Sequence, residues 1–350
     1  MIKYAFFCSI LLVLFAGCSK SSTNTPTPTP SKKWIVSTVA GSTTPGFTDG
    51  DTTQVQFNNA QGIVTDNNGN LFVGDLGNAS IRQVTYMGHV TTYIGKTVGN
   101  PTPLFGNIYS IVRDSQGNLY TIEYSLIRKI MSPVNTTIFA GSLAVNYLDG
   151  AGTSAAFNII GNMAIDKQDN IFLPDYDMNN NFQLRKVTPA GVVSTLSLQD
   201  NTGFSSNGLP NYHYLYAIAV DVSGNIYVTG NGNCLIKKID PMGNVTILAG
   251  SGGVGFKDGK GAVAQFNSIS AMTCDISGNL WVSDSDNHAI REVTSDGTVT
   301  TIAGKGTMGY ADGDSTKALF NFPFGITIDK TGVVYIMDTG NNRVRKLEYK

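Results

Sequence analysis

The sequence predicts an all-β protein, one six-bladed β-propeller over residues 34–350, and three observations predict it. A unit of roughly fifty residues recurs six times, the length at which four short strands make one propeller blade. Each copy repeats the same turn chemistry at the same place. The last copy lacks its fourth strand, while a spare fourth strand precedes the first. Composition agrees: 14% charged residues is low, and 39 glycines with abundant Val, Ile, Thr and Tyr suit short strands joined by tight turns.

Each unit can be followed along the chain. Its outer strand reads VSTVAG at 36–41, TTIFAG at 136–141, VTILAG at 245–250 and VTTIAG at 299–304. A loop of pattern Gly-aromatic-x-Asp-Gly follows at 46–50, 255–259 and 309–313, with a variant at 146–150. Next comes an apolar inner strand ending at Asp66, Asp114, Asp166, Asp221, Asp275 or Asp329, and a turn that usually ends Gly-Asn. The second strand carries an aromatic residue: Phe72, Tyr120, Phe172, Tyr227, Trp281 or Tyr335. A third strand holds Ile81-Arg82, Ile127-Arg128, Leu184-Arg185, Ile236-Lys237, Ile290-Arg291 or Val344-Arg345. One four-stranded sheet cannot bury both faces, so the units must stack around an axis, and the six aromatics are expected to pack between blades. Pairing the spare strand 35–41 with strand 343–348 would close the ring and leave no open edge.

The repeats resemble NHL repeats across residues 34–350. DSDNHAIR at 284–291 and DTGNNRVR at 338–345 match closely, whereas repeat two is short at 125–128 and repeat four has Gly230 where Asp is usual. The resemblance implies the fold and leaves function open, because the family includes binding modules and some enzymes.

The N-terminus reads as a processing signal. Lys3 and the apolar run ILLVLFA at 10–16 fit a signal peptide better than a membrane span, being too short to cross a bilayer. The small residues Ala16 and Gly17 before Cys18 resemble the bacterial lipobox, which implies a leader over 1–17 and lipid on Cys18. Residues 18–33 are rich in Ser, Thr and Pro and read as a semi-rigid tether. The serine after Cys18 resembles lipoproteins sent to an outer membrane, where cell-surface display is one outcome. Net charge is −1 and no Lys/Arg cluster occurs, which argues against nucleic acid as a partner. Cys234 and Cys274 fall on different strands of neighbouring repeats; a disulfide is open to an exported protein, and two free thiols are the expectation. The propeller is expected to act as a monomer, with the membrane as a partner through the lipid.

Strand direction alternates within a blade, so the long divergent loops share one face. The residues entering the inner strands are Gln61, Tyr109, Gly161, Tyr216, Ser270 and Phe324; two positions earlier stand Asn59, Asn107, Ile159, Tyr214, Ser268 and Phe322. Such residues should ring the mouth of the central channel. Gln61, Asn107, Tyr109, Tyr214, Tyr216 and Phe324 mix aromatic faces with amides and hydroxyls, which suits an extracellular glycan or peptide. The competing reading is that they plug the channel. The acidic residues Asp75, Glu123, Asp175, Asp284 and Asp338 end second strands; carboxylates suit calcium, but their repetition points to a structural role. An alternative function is a metal-dependent lyase or lactonase at the channel mouth, with Asn59, Asn107, Glu123 and Asp175 as ligands. His89, His213 and His288 come from different blades, and no hydrolase elbow, zinc-protease or phosphate-loop motif is present, so no catalytic residue is assigned.

Overall fold

Six antiparallel sheets follow one another along the chain, and each is one blade. The structure is a computed structural model that describes residues 32–66, 68–95, 108–143, 147–158, 161–176, 182–199, 217–230, 232 and 234–350. Cys18, Asn107, Tyr214 and Tyr216, the predicted leader and nearly all of the predicted tether lie outside the described residues. Inner strands are Gly62–Thr65, Ile111–Arg113, Ala164–Ile165, Ile218–Val220, Ile269–Cys274 and Pro323–Ile328. Each touches the next, and the sixth touches the first, so they form a ring around the axis.

Among the described residues the core is divided into six clusters, one at each interface between blades. Phe72 packs with Ile111 and Leu119 between blades one and two; Tyr120 packs with Phe157 and Ile171 between two and three. Phe172, Tyr227, Trp281 and Tyr335 do the same at the following interfaces. Alternate side chains on a strand point to opposite faces, so Leu71 and Val73 join the interface on the other side of the first blade. The aromatics therefore pack each blade against its successor, as their repetition predicts.

Ring closure is also observed. Trp34–Gly41 pairs antiparallel with Arg343–Tyr349 from Trp34↔Tyr349 to Gly41↔Arg343, with a bulge between Thr38 and Ala40. Backbone bonds between Lys33 and Lys350, at 2.6 and 2.9 Å, continue the ladder by one residue. The outer strand ends in Ala-Gly for a steric reason: Gly41 has φ +111°, and a Cβ there would lie 2.3 Å from the Asn342 carbonyl.

One feature goes beyond the predicted four strands. The Asp-Gly loops place two-residue strands on the outer edge of four blades: Gly50–Asp51, Gly150–Ala151, Gly259–Lys260 and Gly313–Asp314. No such strand is described in blades two and four.

Candidate functional site

The site is positioned by three layers of polar structure. In the first, the inner turns use one Asp as a hub. The Asp221 carboxylate accepts the N–H of Ser223 and Asn225 on one oxygen and the Asn225 amide on the other. Asp114 and Asp275 bind their own turns in the same way. This is the physical content of the Asp-x-x-Gly-Asn repeat.

The second layer is a buried arginine in four blades. Arg345 is fully buried and bonds Asp338 at 2.6 Å through one terminal nitrogen and Asp312 at 2.6 Å through the other. Its guanidinium lies 4.9 Å from the Tyr310 ring centroid and 5.1 Å from that of Phe320. Arg82, Arg185 and Arg291 repeat this with Asp75 and Asp49, Asp175 and Asp149, and Asp284 and Asp258. Each joins a crossover loop to its own blade. Burial pushes the Asp338 carboxyl above its ordinary value, opposed by Arg345, the Asn341 amide and the Asn321 N–H. The repeated acidic residues of these four blades are thus salt-bridge partners, and their backbone donors lie in the preceding loop, as with Asn58 to Asp75. In blade two Glu123 pairs with Arg128 at 2.7 Å, and in blade four a buried Lys237 stands opposite Val228, with Gly230 opposite Leu235.

Of the residues considered for a metal, Asn107 lies outside the described residues and the other three have partners of their own. Asp175 is buried and spends its oxygens on Arg185 and the Asn158 N–H, and Glu123 binds Arg128. Asn59 is exposed and accepts a bond from the Gln61 amide at 3.3 Å. Among the described residues no three His, Cys, Asp or Glu side chains form a group that could hold a metal ion. Cys234 and Cys274 are free thiols, and burial pushes both above the usual thiol range.

The third layer is the channel mouth. Gln61, Tyr109 and Phe324 line one axial cavity together with Ser110, Asn162 and the apolar residues of the inner strands. Its room for the centres of water-sized molecules is about 60 Å³. Since one water needs roughly 10–15 Å³ of such space, the cavity holds several waters or one small chemical group. Asn162 of blade three donates to the Ser270 carbonyl of blade five at 3.0 Å, reaching past blade four. Ser110 accepts from the Met163 N–H at 2.9 Å, and the Ser270 hydroxyl donates to the Phe324 carbonyl at 3.1 Å. Burial pushes the Tyr109 phenol well above its usual range, so it stays neutral. Gly325 permits the close packing of blades six and one, because a Cβ there would lie 2.0 Å from the Gln61 carbonyl.

The family model for the NHL repeat matches residues 320–347, the inner, second and third strands of the last blade. The chain is a six-bladed β-propeller whose last blade matches that repeat model. The propeller is similar to an auxiliary nutrient binding protein from Bacteroides ovatus, with TM-score 0.70 and 19% identity, covering 91% of this chain and 77% of that one. A gluconolactonase from Xanthomonas campestris superposes with TM-score 0.55 at 13% identity, covering 90% and 89%. At these identities the likeness is one of fold. Among curated sequences, the chloroplastic protein SUPPRESSOR OF QUENCHING 1 of Arabidopsis thaliana is 26% identical over 291 residues, 73% of this chain. The propeller spans only 27% of that relative's length.

Proposed function

We propose that this NHL propeller is a cell-envelope binding module, held to an outer membrane by lipid on Cys18 and presenting its channel mouth to an extracellular glycan or peptide. The observation that carries the reading is the axial cavity. It gathers Gln61, Tyr109 and Phe324, residues that break the repeat, where packing positions keep to it. Similarity in fold to an auxiliary nutrient binding protein of Bacteroides supports a binding role. Residues 18–33 supply the spacer that an anchored domain needs. The second reading, a lactonase-like enzyme, is favoured only by the shared fold of the gluconolactonase. It asks for a ligand set that Asp175 and Glu123 do not supply, because arginines already occupy them.

One experiment tests anchor and site together. Cells carrying wild type, Cys18→Ala, or Gln61→Ala/Tyr109→Phe are incubated with a glycan and peptide library, and retained ligand is measured. The anchor variant should shed the propeller, with its captured ligand, into the medium. The mouth variant should stay on the cell, melt within a few degrees of wild type, and retain far less ligand. A mouth variant that captures as wild type does would place the site elsewhere; a Cys18→Ala protein that stays on the membrane would refute the anchor.

A further inference from the structure

Phe322 occupies a place that neither packing nor backbone geometry explains. It stands two residues before Phe324 of the cavity wall, and its φ is +48°. The left-handed region suits glycine and asparagine and is an outlier for a bulky residue. The equivalent positions of blades one and five share the conformation, at φ +51° and +61°, and carry the small polar residues Asn59 and Ser268. Phe322 belongs to none of the hydrophobic clusters between blades and remains 46% exposed. It is nonetheless held: its N–H bonds His288 Nδ1 at 3.2 Å, and the two rings meet edge to face at 4.8 Å. A residue disfavoured by its own backbone, exposed, and fixed by a neighbouring ring is the mark of a contact surface.

The cavity that Phe324 lines, two residues along the chain, sets the chemistry of what is captured. No described residue of its wall carries a charge: Gln61, Asn162, Ser110 and the neutral Tyr109 supply its polar groups. A carboxylate or ammonium entering it would lose water with no counter-charge to replace it. A neutral polyol ring would trade water for amides and hydroxyls and offer an apolar face to an aromatic ring.

We infer that the ligand is an uncharged glycan terminus, and that Phe322 is a stacking platform for its pyranose ring at the lip of the axial cavity. This deepens the binding reading above and rests on it. His288 acts as a positioning residue, holding the ring through the Phe322 N–H and the edge contact. The captured class is then neutral hexosides, discriminated from their uronic acids by the uncharged wall.

The test uses purified full-length propeller and two variants, Phe322→Asn and Gln61→Ala. Asparagine is what blade one places at this position, so Phe322→Asn removes the ring while suiting the backbone. Methyl glucoside and methyl galactoside, the corresponding glucuronide and galacturonide, and free and end-blocked tripeptides are titrated by ligand-observed NMR. Neutral glycosides should bind and the uronides should bind at least tenfold more weakly. Phe322→Asn should weaken the neutral glycosides about tenfold, equivalent to about 1.4 kcal/mol, with its melting temperature unchanged or raised. Equal affinity for uronides, no glycoside binding, or an unaltered Phe322→Asn would overturn the inference. If peptides bind instead and Gln61→Ala weakens them, this inference fails and the binding reading stands. If nothing depends on the mouth, both fail.

Discussion

The Arg345 guanidinium sits between two aromatic rings and two carboxylates, and none of these partners is a sequence neighbour except Asp338. Burying an ion pair is costly, and removing one member costs more because it strands the other. Arg345→Met should therefore destabilise the protein by about 3–5 kcal/mol, read from urea unfolding. Arg345→Met/Asp338→Leu should recover much of that loss, since no buried charge is left unpaired. The pH dependence has a definite sign. Burial already raises the folded-state pKa of Asp338, and losing Arg345 raises it further. A raised carboxyl contributes stability at low pH that is lost as pH rises through the folded value. The single variant should thus lose more at pH 8 than at pH 5, and a pH-independent loss would contradict this account.

At the scale of the element, strands, inner turns and blade-packing aromatics were legible in the sequence, because each depends on residues within a few positions. The arginine latch was not, since its second partner lies 33 residues upstream in three of the four cases and 36 in the fourth. A signal was nevertheless present. The units with an Asp-Gly loop are those with both a strand-end Asp and an Arg, and units two and four lack the full set together. The inner turn makes its own prediction. Burial pushes the Asp221 carboxyl up, but bonds from the Asn225 side chain and N–H, Tyr227 and the Ser223 N–H outweigh it and hold it below its ordinary value. Asp114 follows the same pattern with Asn118 and Tyr120. A depressed carboxyl stabilises above its unfolded pKa, about 3.9 for Asp, and that stability is lost as pH falls through the folded value. Urea midpoints should drop steeply below about pH 4. Asp221→Asn should be weaker than wild type at pH 7 and lose less of its remaining stability on acidification; an unchanged acid slope would show the turn carries none of it.

For the whole molecule, the sequence made closure legible because a missing strand and a spare strand matched one to one. The mouth was legible only in part. Gln61, Tyr109 and Phe324 meet in the axial cavity, whereas Asn162, whose bond to the aligned Ser270 reaches past blade four, had no local pattern to mark it. Phe322 was visible as an aromatic and became informative only through its backbone conformation and exposure. All of these residues are held in place by a ring whose last seam is the pairing of the first strand with the final one. The seam is tested most directly by hydrogen exchange of the intact protein. If Trp34–Gly41 completes the sixth blade, its amides bonded to Arg343–Tyr349 should exchange as slowly as those of the second and third strands and open only with the whole blade. Exchange within seconds, as for a frayed terminus, would contradict a closed six-bladed ring.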